Sequence, residues 1–151
     1  MSLYYPVTTN QTIIGSKTAA GTRTGVELES TYSTTQDTEP TKVFKVAGMS
    51  KLTLNGLYTT GAAETNNTIE VKIESSPDNI NFYPISNVDT TSGTSTLYNR
   101  EFKFTGASAA TAYSFEIFLD IAYQYVRVSC KESGVAANKG NVYVEATLAG
   151  A

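Results

Sequence analysis

From Thr68 to Glu74 apolar and charged residues alternate without a break: Ile69, Val71 and Ile73 on one side, Glu70, Lys72 and Glu74 on the other. A period of two is the mark of a strand with one face buried, because successive side chains of a strand point to opposite faces of its sheet. Similar runs recur along the chain. Lys42–Val46 and Ser50–Tyr58 read as strands, the second placing Leu52, Leu54 and Gly56 on one face. Phe82–Ile85 continues a hairpin after the turn residues Ser75-Ser76-Pro77-Asp78-Asn79, each of which favours a tight reversal. Further strands are expected at 96–104, 113–120, 122–131 and 140–148. A helical period over ten residues is nowhere evident, and Ala107–Ala110 offers at most one helical turn. Many short strands separated by turn signals predict an all-β, two-sheet antiparallel β-sandwich, jelly-roll or immunoglobulin-like.

Residues 1–40 lack this pattern. They are rich in Thr, Ser, Gly and Asn, with short apolar pieces at Thr12-Ile13-Ile14 and Gly25-Val26-Glu27-Leu28. They are expected to form an extended N-terminal arm with one or two short strands, docked on its own body or on neighbours, ahead of a sandwich domain at 41–151. On that division, removal of residues 1–30 would spare the sandwich.

Composition sharpens the fold class and narrows the chemistry. The chain has 151 residues, enough for one domain. Charged residues make up 17%, against roughly 25% in typical soluble domains. Thr and Ser fill the gap at about a quarter of the chain, and Thr suits a pleated sheet. A net charge of −3 and scattered Lys and Arg argue against a nucleic-acid partner. No apolar run approaches the length of a membrane span and no secretion signal opens the chain, so neither a membrane partner nor export is expected. The single cysteine, Cys130, lies in a strand-like run and reads as a small core residue.

The absence of histidine removes the usual general base and the usual zinc ligand. No catalytic residue, metal site or cofactor is expected. Glu70 and Glu74 share a face, as a glycosidase pair would, but their alternation with Lys72 reads as a solvated outer face. Asp78, Asn79 and Asn81 could turn oxygens toward calcium, and Asp37 with Glu39 less so; turn chemistry accounts for them without an ion. Along Tyr123–Lys131 one face presents Tyr123, Tyr125, Arg127, Ser129 and Lys131, and the other Gln124, Val126, Val128 and Cys130. Tyr and Arg are favoured in interface hot spots. Ile117-Phe118-Leu119 is apolar on both faces, as in a covered central strand or a subunit contact.

Two stretches carry a resemblance. Val71-Lys72-Ile73-Glu74-Ser75-Ser76-Pro77-Asp78-Asn79-Ile80-Asn81-Phe82-Tyr83-Pro84-Ile85 and Tyr123-Gln124-Tyr125-Val126-Arg127-Val128 resemble the strand–turn–strand and the later strand of β-sandwich virion structural proteins of tailed phages. They also resemble discoidin-like carbohydrate-binding modules. Asp78-Asn79 stands where Asp-Gly is usual, and Phe82 where Trp is common. The resemblance implies a non-enzymatic structural protein of a virus particle, made in the host cytoplasm: a phage capsid decoration protein or a head or tail accessory protein. Its partners would be the major capsid or tail protein and further copies of itself, in closed symmetry such as a trimer. Candidate partner contacts are Tyr4, Tyr5, Ile13 and Ile14 in the arm and Tyr123, Tyr125 and Arg127 in the body. The alternatives are a carbohydrate-binding module for host-surface glycans, reading them through Tyr83 or Tyr98, and a pilus or surface-layer subunit.

Overall fold

The computed structural model describes residues 8–33, 40–89, 96–99 and 101–150. Their strands are, in chain order, β1 (Thr8–Ile14), β2 (Ser16–Lys17), β3 (Arg23–Thr24), β4 (Val26–Glu27), β5 (Thr41–Lys45), β6 (Lys51–Thr59), β7 (Asn67–Ser76), β8 (Tyr83–Pro84), β9 (Ser86–Asp89), β10 (Thr96–Asn99), β11 (Glu101–Gly106), β12 (Ala112–Asp120), β13 (Tyr125–Ser133) and β14 (Asn141–Ala149). The described residues contain no helix.

Ten of these strands build two antiparallel sheets. The first has the order β1-β14-β6-β12, with β4 on β14; the second has the order β11-β7-β13-β5, with β8 on β7. Followed along the chain, β1 lies in the first sheet, β5 in the second, β6 in the first, and β7 and β11 in the second. The last three, β12, β13 and β14, lie in the first, second and first. This is the jelly-roll form of the sandwich, and it decides between the two topologies that the sequence leaves open.

The inner faces are those the alternation marks out. Leu52, Leu54, Phe115, Ile117, Leu119, Val142, Val144, Ala146 and Leu148 face Ile69, Val71, Ile73, Val126, Val128 and Cys130, all buried. Gly56 has a packing reason. A Cβ there would sit within 2.0–2.4 Å of three atoms of the Phe115 ring, and that ring stacks at 4.6 Å on Phe104 of the opposite sheet. Cys130 is fully buried, and burial pushes its thiol up to about 12.

The segment read as an arm contributes to this body. β1 pairs with β14 along the edge of the first sheet, and Ile13, Ile14 and Leu28 lie in the core at 7%, 2% and 0% exposure. A bulge between Thr12 and Ile14 lets consecutive isoleucines both turn inward. Removing residues 1–30 would therefore strip an edge strand and open the core, contrary to the expectation of an innocuous truncation.

The connections fall at two ends. At one, the loop from 134 to 140 is held by carboxylates. Glu64 accepts hydrogen bonds from the backbone N–H groups of Ala136, Ala137 and Asn138 at 3.1, 2.6 and 2.8 Å. Glu132, at 1% exposure, accepts from the Tyr58 hydroxyl at 2.5 Å and from the Gly140 N–H at 2.7 Å. Lys139 reaches Glu29 at 2.7 Å. The other end carries Thr8 and the connections 46–50, 77–82 and 121–124.

Three outcomes follow. Gly56→Ala presses on Phe115 and should cost about 1–3 kcal/mol in chemical denaturation. Tyr58→Phe removes one of the two hydrogen bonds to the buried Glu132 carboxylate and should cost about 2 kcal/mol. The three backbone N–H donors hold the Glu64 carboxyl down to about 2. Its contribution is thus complete above the unfolded carboxyl range near pH 4.5 and declines as pH falls through 2. The protection of the amides of residues 136–138, relative to their intrinsic exchange rates, should fall over that interval in the wild type, whereas Glu64→Gln should show low protection already at neutral pH.

Candidate functional site

The outer face of the second sheet gathers most of the candidate residues. In register, Glu70 lies between Lys103 of β11 and Lys131 of β13, and Glu74 lies opposite Arg127. Glu70 pairs with Lys103 at 3.2 Å and Lys131 at 3.1 Å; Glu74 pairs with Lys72 at 3.4 Å. Arg127 donates to both oxygens of Glu74, through Nε at 3.1 Å and Nη2 at 2.9 Å. This face is not the solvated one that the alternation suggests, since Glu70 and Glu74 are 9% and 5% exposed. Two aromatic rings help to cover it. The Tyr32 ring lies under the ammonium groups of Lys72 and Lys131 at 4.6 and 4.7 Å, and the Phe82 ring lies 4.1 Å from the Arg127 guanidinium.

The electrostatics decide what these acids can do. Burial alone would raise the Glu70 carboxyl, but Lys131 and Lys103 outweigh it and hold it below the ordinary value. At Glu74 burial is likewise outweighed, by Arg127 and Lys72. A glycosidase acid needs its pKa raised so that it keeps a proton at neutral pH. Both carboxyls are displaced the other way, so the pair is an ion lattice rather than a proton donor and its partner. Burial pushes the Tyr32 hydroxyl up, and that oxygen is buried without a hydrogen-bond partner among the described residues.

The turn after β7 is closed by its own donors. One Asp78 oxygen accepts from the Ile80 and Asn81 N–H groups at 2.9 and 2.8 Å and from the Ser76 hydroxyl at 3.1 Å; the other accepts from the Asn81 amide at 2.7 Å. Donors of this kind occupy the lone pairs a cation would need, and they pull the Asp78 carboxyl well below its usual range. No group of three metal-ligating side chains occurs among the described residues. The fixed loop holds Ile80 out at 79% exposure and Tyr83 at 58%.

Beside it lies a cleft of about 170 Å³, lined by Ser75, Ser76, Pro77, Ala122, Tyr123 and Gln124. Tyr123 and Tyr125 are half-buried at this end. Gln124 is exposed, not core: it precedes β13, and its carbonyl accepts from the Val46 N–H at 2.8 Å.

The candidate contacts therefore separate. Tyr123 lines the cleft and Tyr125 stands opposite Ser76 on the outer face. Arg127 is engaged by Glu74 and Phe82 of its own chain. Ile13 and Ile14 point into their own core, where they present no surface to a partner. Tyr4, Tyr5 and the side chain of Tyr98 lie outside the described residues. Reading the sequence missed Ile80 and the cleft; the signal was the uncapped isoleucine inside a polar turn. Phe118, on edge strand β12, is 56% exposed between inward-facing Ile117 and Leu119, with the Lys51 ammonium 5.4 Å from its ring. That placement excludes a covered central strand for Ile117-Phe118-Leu119.

No protein-family model matches the chain, and no curated protein matches it. Solved structures do. The SPBc2 prophage-derived protein YomS aligns over 99% of this chain and 98% of its own, at 17% identity and a TM-score of 0.48. The infectious bursal disease virus VP2 subviral particle aligns over 96% of this chain at 9% identity and a TM-score of 0.52, and this chain spans 32% of that one. The likeness to VP2 is one of fold.

Proposed function

We propose that the chain is a non-enzymatic structural protein of a virus particle, a phage capsid decoration protein or a head or tail accessory protein that binds neighbouring subunits. The observation that carries this reading is the jelly-roll strand order. That architecture is a standard one for capsid domains, and 96% of this chain aligns in fold with part of the infectious bursal disease virus VP2 subviral particle. Two features of the molecule support it. The paired acids on the outer face are neutralised by cations of the same chain and have no proton to give. The end with the cleft offers Tyr123, Tyr125 and Ile80, amphipathic and apolar side chains suited to a contact between subunits. Repetition supplies the strength: many copies, each making a modest contact, hold together through high effective concentration.

Lectin domains use the jelly roll as well, and Tyr83 is exposed enough to stack on a sugar ring. A glycan is the second reading for that reason.

Quantitative mass spectrometry of purified particles from the virus or prophage encoding the chain separates the two. The proposal expects the protein in many copies per particle, at a fixed ratio to the major capsid or tail protein. Absence from particles, together with Tyr83-dependent binding on a glycan array, would overturn it. Arg127→Met gives an internal contrast: among the described residues it leaves Glu74 with Lys72, and it should lower stability by about 3 kcal/mol without lowering the copy number of the protein that still folds.

A further inference from the structure

Strand β12 closes one edge of the first sheet, and among the described residues no strand pairs with its outer side. Two hydrogen bonds fix the direction of its backbone groups. The Ile121 N–H donates to the Ser50 carbonyl at 2.9 Å, and the Thr60 N–H donates to the Thr111 carbonyl at 3.1 Å. Both pairs continue the register in which Ala112 faces Thr59 and Asp120 faces Lys51. Hydrogen-bonded and non-bonded pairs alternate in an antiparallel ladder, so the odd-numbered residues of β12 bond to β6. Ala112, Ser114, Glu116, Phe118 and Asp120 therefore turn their N–H and C=O groups to the open edge. Natural edge strands are guarded by prolines, bulges or inward-pointing charges. β12 has no proline, its register runs unbroken, and its inward residues are Tyr113, Phe115, Ile117 and Leu119.

The flank beside this edge is incompletely covered. The stack of Phe104 on Phe115 sets the β11 edge of the second sheet next to the β12 edge of the first. Phe102 and Phe104 pack toward the core yet are only half-buried. On the outer face, exposed Phe118 stands between two exposed acids. Asp120 pairs with Lys51, and Glu116 has no ion pair among the described residues.

We propose that the β12 edge docks an extended segment of a neighbouring protein, which joins the first sheet as a further strand. The proposal rests on the reading of the protein as a subunit that binds its neighbours, and names how one of them is held. The main chain supplies affinity through the even-numbered residues, and alternate side chains supply choice. Toward the sandwich the segment places apolar residues over Phe102 and Phe104. On the outer face it places a Lys or Arg opposite Glu116, with an aliphatic stem to lie along Phe118. Charge selects against a second copy as the occupant: two β12 edges paired along their length crowd Glu116 and Asp120 of one against those of the other. β12 ends where the connection 121–124 begins, and that connection lines the cleft, so a partner seated at the open end reaches the edge without a break.

The probe is an end-blocked nonapeptide of alternating Val and Lys, titrated at low salt into the isotope-labelled full chain, with amide exchange read residue by residue. The amides of Ser114, Glu116, Phe118 and Asp120 should exchange quickly in the free chain and gain protection with the peptide. Those of Phe115, Ile117 and Leu119 should be protected throughout. Glu116→Lys should leave the melting temperature unchanged and weaken binding about tenfold, as an attractive cross-strand pair becomes a repulsive one. Ser114→Pro removes one outward donor without touching the bonds to β6 and should also weaken binding; if it lowers the melting temperature, Glu116→Lys decides. Outward amides that stay unprotected at millimolar peptide overturn the proposal. So does equal binding of a peptide with Glu in place of Lys, and so does protection confined to the cleft. Protection that rises with protein concentration alone, the mark of a second copy, overturns it too. Any of these with abundant protein in particles leaves the broader reading intact, whereas absence from particles with charge-dependent binding at β12 leaves the edge site standing without it.

Discussion

The outer face of the second sheet buries two carboxylates among cations of its own chain, and the remaining features of the molecule depend on that constraint. Its inner face is the familiar apolar one, Ile69, Val71 and Ile73 beside Val126, Val128 and Cys130. Its outer face would ordinarily be wet, yet Glu70 and Glu74 are nearly inaccessible there. Burying two carboxylates costs several kcal/mol each unless cations and hydrogen bonds accompany them. Here four cations do: Lys72 lies between the acids on β7, and the register of β11 and β13 brings Lys103, Lys131 and Arg127 opposite them. A slip of one residue in either pairing would move the cations of the slipped strand to the wrong face. The ion lattice thus fixes the register of the sheet as firmly as the core does, and it draws in Tyr32 and Phe82 as covers.

That pairing directs function toward the loops. Charges already neutralised within the chain have little left to offer a partner, and Arg127, attractive in sequence, is engaged by Glu74. What stays open is the end at which the chain enters, with the cleft, the exposed Ile80 and Tyr83, and half-buried Tyr123 and Tyr125. The opposite end is clamped by Glu64 and Glu132 on the loop from 134 to 140. One end is therefore locked and the other presents contacts, an asymmetry that suits a subunit bound in one orientation.

The sequence carried the fold where a strand has one wet and one dry face. Ile69, Val71 and Ile73, or Leu52 and Leu54, announce themselves by period, and the strands β5, β6, β7, β12, β13 and β14 fall within a few residues of the stretches that the pattern marks. Its signal was weak where burial is reached by other means. Thr12-Ile13-Ile14 and Gly25-Val26-Glu27-Leu28 read as short strands of an arm, but the adjacency of Ile13 and Ile14 hides the bulge that turns both inward. Leu28 closes a short apolar piece in a polar run, and nothing in the pattern announces its complete burial. Glu70 and Glu74 look solvated until their cations are supplied by strands distant in sequence. The cleft was illegible for a related reason, since Ser75–Pro77 and Ala122–Gln124 meet only through tertiary pairing.

The most direct test of this division between a charge-paired face and an open end is hydroxyl-radical footprinting, comparing the free chain with the chain in purified particles. The account predicts that Ile80, Tyr83 and Tyr123 lose reactivity on assembly while Tyr32 and Phe82, half-buried against cations of their own chain, keep the same reactivity in both states. Protection confined to Phe118 on the edge of the first sheet, with Ile80 and Tyr123 unchanged, would contradict it.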